Sequence, residues 1–213
     1  MEINCKEMKK DAISSLKGNW TVAILSAIVY SAIKIMGDFL PEQVNNWFTI
    51  LSCISDALFI FGYTAIILHI VRGEKAEISE IFNGAKRFLK GLGMTLAVGI
   101  LTLLWSLLLI VPGIIAAIKY SMTFYIWVDN PNVGISEAID KSIDMINGHR
   151  WDVFKLYLSF IGWVLLVMAL AVVVERLNYR HYIGIASVGM IPVSLYIDVA
   201  MATFYNKLLK ERE

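Results

Sequence analysis

The sequence is poor in the residues that most enzymes of soluble chemistry rely on. It has two cysteines, Cys5 in a polar N-terminal segment and Cys53 in an apolar run. That placement argues against a disulfide and offers no metal spacing. Its three histidines, His69, His149 and His181, are scattered without a His-x-x-x-His pair, so no metal is expected. No Gly-x-Ser-x-Gly, phosphate-binding Gly-x-x-x-x-Gly-Lys-Ser/Thr or Gly-x-Gly-x-x-Gly occurs, and no cofactor is expected. A net charge of +1 supplies no field to attract nucleic acid, which is not expected as a partner. The first apolar run starts late, is long and lacks a small-residue cleavage site, unlike a signal peptide.

What the chain has instead is apolar length. Hydrophobic residues make up 58%, against roughly 45–50% in ordinary soluble domains. From Gly91 to Val128 the only formal charge is Lys119. One membrane span takes about 20 apolar residues, so this run is expected to be a hairpin of spans at 92–111 and 114–128, turning at Pro112-Gly113. The second arm is short, which leaves a re-entrant or thinned region as an alternative.

Four more spans are expected. The first covers 20–39, with Trp20 as an interfacial anchor. There Lys34 and Asp38 are four residues apart and share a face. The second covers 47–72 and starts at Trp47; about 26 residues of helix extend about 39 Å, longer than the hydrocarbon core, and put Asp56 at membrane depth. The fifth, 153–174, follows Trp151. The sixth, 183–205, contains Pro192, a signal for a kink or break.

Three amphipathic helices precede the hairpins, at 4–17, 77–90 and 135–147. Their apolar residues recur at helical spacing: Cys5, Met8, Ala12, Ile13 and Leu16; Ile78, Ile81, Phe82, Ala85, Phe88 and Leu89; Ile135, Ala138, Ile139, Ile143 and Ile146. The first either lies on the membrane surface or packs on the protein's own base. The helices end in Leu16-Lys17-Gly18, Leu89-Lys90-Gly91 and Ile146-Asn147-Gly148, which suggests a threefold repeat of helix plus hairpin. Any helix entering a membrane can show the same glycine stop. The fold class is therefore all-α: a polytopic membrane bundle of six spans, forming one domain over 1–213.

Lys and Arg number four in the N-terminal segment, five from Arg72 to Lys90, three from Asp129 to Lys155 and three in the tail; the opposite side has Arg176 and Arg180. The positive-inside rule puts both termini and the three amphipathic helices in the cytoplasm.

Charges at membrane depth are the best functional candidates, because each is costly unless paired or wetted. They are Lys34, Asp56, Lys119 and Asp198. Depth allows Asp56 to pair with Lys34 or Lys119, and Asp198 with Lys119. Such charges either line a polar pathway or join helices, with the lysines snorkelling to the surface. Gly91, Gly93 and Gly99 are expected to permit close helix approach. The aromatic run from Tyr120 to Trp127 is either a binding wall or an interfacial belt, in which Trp127 would be an anchor.

The segments Leu104-Trp105-Ser106-Leu107, Ile110-Val111-Pro112-Gly113-Ile114-Ile115, Tyr120-Ser121-Met122, Asp129-Asn130-Pro131, Gly148-His149-Arg150-Trp151 and Ser159-Phe160-Ile161-Gly162-Trp163 form an ordered set that resembles the DUF975 family of bacterial integral membrane proteins. Leu16-Lys17-Gly18-Asn19-Trp20, Arg72-Gly73-Glu74 and Phe204-Tyr205 extend the likeness over nearly the whole chain. The resemblance implies a multi-pass protein of the bacterial plasma membrane. The chain is also similar to the membrane region beside some glycerophosphodiester phosphodiesterase domains, but it lacks such a domain, and no catalytic residues carry over.

The expected function is a non-enzymatic membrane module whose partners are membrane lipids or a membrane protein, accessory to transport, peptide export or immunity. The alternative is a small solute or ion transporter or channel built on the four charges. A lipid-acting enzyme would have only His149, Arg150, Asp152 and Asp129 to use.

Overall fold

A computed structural model describes residues 5–38, 42–176 and 182–212, with side chains over 5–36, 51–174 and 186–212. The described residues are mostly helical and contain no strand. The helices are α1 (Cys5–Leu16), α2 (Trp20–Asp38), α3 (Glu42–Arg72), a 3-10 segment (Ile78–Arg87), α4 (Phe88–Leu108), α5 (Ile110–Tyr120), α6 (Thr123–Asp129), α7 (Ile135–Ile146), α8 (Arg150–Leu158), α9 (Ile161–Arg176) and α10 (Tyr182–Arg212). Five helical stretches are long and apolar enough to cross a membrane: Leu51–Arg72, Ile78–Leu108, Ile110–Asp129, Arg150–Val174 and Ala186–Arg212. A sixth is counted if α1 and α2, bent by 98° at Gly18, make one span.

α3 and α10 form the centre. α2 packs on both, and α1 and α9 also pack on α10. The buried core runs through α3 and α10 from Ile66, Leu68 and Ile70 to Val199, Phe204 and Tyr205. By contrast α4 and α9 leave Leu103, Leu107, Leu165 and Leu170 more than half exposed. Such faces suit lipid, where apolar exposure costs nothing.

Local chemistry explains the breaks. Gly18 and Gly148 stand just past α1 and α7 with φ of 88° and 92°, the left-handed conformation that glycine adopts cheaply. Gly91 is different, and the second copy of the expected repeat has no glycine stop there. The 3-10 segment runs into α4 without a stop, and a Cβ on Gly91 would collide with the carbonyl of Ala57. The tighter three-residue period of the 3-10 segment also changes its buried face. Ile81 and Gly84 are buried, while Phe82 and Leu89, placed on the buried stripe by α-helical spacing, are exposed.

The hairpin turns at Leu109 (φ −165°, ψ 150°), not at Pro112-Gly113. Pro112 sits in the first turn of α5, where its missing N–H would have had no partner in any case. Gly113 packs directly on Ser106 of α4. Beginning the second arm at Ile110 lengthens it to the 20 residues of Ile110–Asp129, long enough to span, with a bend near Ser121. α10 passes through Pro192 as one helix, so no break occurs there.

α1 and α7 bury their apolar rows in the bundle: Met8, Ala12 and Leu16 in one, Ala138, Ile139, Met145 and Ile146 in the other. α1 is held in place at several points. Lys9 donates to the carbonyl of Ser159 (2.7 Å) at the α8–α9 break, Tyr196 donates to the carbonyl of Lys9 (3.2 Å), and Lys207 pairs with Asp11 (3.1 Å). Of the two positions open for the first helix, packing on the protein's own base describes it. At the start of α7, Glu137 pairs with Lys141 and accepts from the Gly134 N–H; these partners, the ammonium first, hold its carboxyl below the usual carboxylate range.

Candidate functional site

Three polar levels are strung along α3. At the first, Lys34 of α2 pairs with Asp56 of α3 at 2.9 Å, with Lys34 about half exposed. The second lies seven residues further along α3, about 10 Å by helical rise. There Tyr63 donates to Asp198 Oδ2 of α10 at 2.7 Å, and Tyr125 of α6 donates to the Asp198 backbone carbonyl at 3.2 Å. At the third, Arg72 grips Asp129 with two parallel bonds of 2.8 Å and reaches Asn206 through Nε at 3.2 Å. Tyr205 donates to the same Asp129 carboxylate at 2.8 Å. Bidentate geometry makes this last group a strong clamp, and it gathers the C-terminal ends of α3, α6 and α10.

Aromatic rings bridge the levels. Tyr30 and Tyr63 stack in parallel with centroids 4.7 Å apart, and Lys34 Nζ lies 5.7 Å from the Tyr30 centroid. Tyr125 and Tyr205 stack at 5.5 Å. Around the middle level is a cavity of about 170 Å³, lined by Asp198, Tyr30, Tyr63, Tyr125, Tyr157 and Phe124 among others.

The four charged candidates thus separate. Lys34 and Asp56 pair as depth allowed. Asp198 bonds to tyrosines rather than to Lys119. Lys119 makes no ion pair among the described residues; its backbone carbonyl accepts from Ser142 of α7 at 2.7 Å. The expected pairing of Asp198 with Lys119 fails because Lys119 ends α5, on the α7 side of the bundle. Among the anchors, Trp20 and Trp151 are exposed, but Trp127 is fully buried. It meets Phe61 edge-on at 4.8 Å and touches Gly91, so it is a core residue and not an interfacial one. The side chain of Trp47 lies outside the described residues. Within the aromatic run, Tyr125 and Phe124 do form a wall of the cavity. Sequence reasoning missed Tyr30 and Tyr63, since a tyrosine inside an apolar helix reads as apolar. It also missed the Arg72–Asp129 clamp, which joins residues 57 positions apart.

A second concavity of about 590 Å³ lies between α5 and α8. One part is aliphatic, with Val111, Ile114, Ile115 and Ile118 in one helical row; the other is polar, with Asn147, Gly148 and Arg150 beside Trp151. Near it, His149 stands 3.5 Å from Asp152 and 3.6 Å from Glu211. Asp129 is held elsewhere by Arg72, so the four polar residues available to an enzyme do not converge.

The helices and the polar levels between them define a multi-pass α-helical membrane protein. Within that class, the chain belongs to the DUF975 family, described as "Protein of unknown function (DUF975)", whose family model matches residues 106–212, half of the chain. No curated protein and no solved structure matches the chain.

Proposed function

We propose that the protein is a non-enzymatic, lipid-binding component of the bacterial plasma membrane. The observation that carries this is the two-part groove between α5 and α8. Its aliphatic row from Val111 to Ile118 is about 10 Å long by helical rise, which suits part of an acyl chain. Arg150 and Asn147 stand at its polar end, where a phosphate headgroup would lie, and the exposed Trp151 suits the same depth. The occupant is an anionic phospholipid. Apolar contact alone gives little preference for the groove over bulk lipid, so selectivity comes from Arg150 and from shape.

The polar end of the groove shares an end of the bundle with the Arg72–Asp129–Asn206 clamp, because His149 and Glu211 meet there and Arg212 donates to the Asp144 carbonyl. Most Lys and Arg residues lie in the N-terminal segment, in 72–90, in 129–155 and in the tail. The positive-inside rule supports a cytoplasmic placement for this end and for both termini. The transporter reading has less support: the cavity beside Asp198 includes neither Asp56 nor Lys119.

The test is lipid binding by the purified full chain in nanodiscs of mixed neutral and anionic phospholipid. Arg150→Ala is expected to weaken the preference for the anionic lipid by about fivefold, on the order of 1 kcal/mol for one basic residue near the headgroups. Equal enrichment of both lipids around the wild-type chain would overturn the proposal.

A further inference from the structure

The groove leaves the cavity at the middle of the bundle unused, and that cavity has a chemistry of its own. Its one formal charge is the Asp198 carboxylate. Asp198 makes no ion pair among the described residues: Lys34 is committed to Asp56 and Arg72 to Asp129. Tyr63 donates to Oδ2. A carboxylate inside an apolar bundle is costly without a compensating charge. Half of the remaining lining residues are aromatic, namely Tyr30, Tyr63, Tyr125, Tyr157 and Phe124, and the others are aliphatic, methionine and hydroxyl side chains.

A small space walled in part by aromatic rings and holding one carboxylate suits an alkylammonium ion, since such rings attract cations that are too weakly hydrated to prefer water. At about 170 Å³ the space is well below the roughly 300–1,000 Å³ of pockets for drug-sized ligands, so the occupant is small. A doubly charged metal ion fits poorly, because a hard cation takes six or more oxygen ligands and the cavity supplies one carboxylate. Tyr63 and Tyr125 serve as positioning residues: their hydroxyls hold the Asp198 side chain and backbone at the edge of the space.

We infer that the cavity formed by Asp198 and the four tyrosines is a binding site for a small monovalent alkylammonium cation. The inference is independent of the lipid groove, which shares no residue with the cavity.

The experiment is calorimetric titration of the full chain in neutral-lipid nanodiscs with tetramethylammonium, and with sodium as the comparison ion. Saturable binding of one tetramethylammonium per chain is expected, with sodium at least tenfold weaker. Asp198→Asn is expected to lower affinity by tenfold or more, and Tyr157→Phe, which keeps the ring, is expected to leave it within about threefold. Absence of saturable binding by the wild-type chain overturns the proposal whatever the variants do. So does binding that Asp198→Asn leaves unchanged, or an equal response to sodium.

Discussion

At the scale of single residues, glycines decide how closely the helices meet. A Cβ on Gly84 would run into the carbonyl of Leu58, and one on Gly62 into the backbone of Glu80 and Ile81. Backbone cannot give way as a flexible side chain can, so Gly84→Ala is expected to destabilise the protein by about 1–3 kcal/mol, the usual cost of overpacking. Gly99 faces open space, and Gly99→Ala is expected to be neutral or stabilising by about 0.5–1 kcal/mol. Thermal unfolding of both variants in one detergent checks the contrast; equal effects would contradict it. Charge behaves differently. Asp56 is mostly buried while its partner Lys34 is half exposed, so removing Lys34 leaves a carboxylate with little water. Lys34→Met is expected to destabilise by on the order of 1 kcal/mol, and adding Asp56→Asn to recover most of that loss. Simple additivity in the double-mutant cycle would show that the pair is uncoupled. Asp56 and Lys34 were legible because a charge stands out in an apolar run. The glycines were only partly so: Gly91 makes the close contact expected of it, whereas Gly99 makes none, and Gly62, Gly84 and Gly113 became meaningful only once their neighbours were known.

At the scale of elements, helical periodicity carried most of the fold, and it failed where the period itself changed. Between Ile78 and Arg87 the chain takes the 3-10 period, so Gly84 turns inward and Phe82 outward. The Pro112-Gly113 pair carries two opposite meanings. Proline with glycine is a turn signal, yet proline is equally at home in a first helical turn, and the structure uses it that way after the extended Leu109. Moving the start of the second arm from Ile114 to Ile110 accounts for most of its apparent shortness. The buried rows of α1 and α7 were visible in spacing alone. What they cover was not, since spacing says that a face is apolar and not whether lipid or protein meets it. Contacts such as Lys9 to Ser159 and Tyr196 to Lys9 join positions more than 100 residues apart and leave no local trace.

At the scale of the whole molecule, the bundle sorts its surfaces by task. The stretches 62–68 of α3 and 199–205 of α10 are buried, α4 and α9 face outward with leucine and valine, and α3, α6 and α10 are joined at the Arg72–Asp129 clamp. Against that background the groove between α5 and α8 stands out, because an aliphatic row and a basic end share one concavity. In the sequence Trp151 read as an anchor ahead of the fifth span and Arg150 as one of a few polar residues open to an enzyme, with nothing to connect them to Val111 or Ile114 some forty positions earlier. The most direct measurement is photo-crosslinking in nanodiscs with an anionic phospholipid that carries the reactive group midway along one acyl chain, followed by peptide mapping. Labelling concentrated on 111–118 and 150–154, and reduced by Arg150→Ala, is the predicted result. Labelling spread evenly over the outward faces of α4 and α9, and unaffected by Arg150→Ala, would contradict the assignment of the groove.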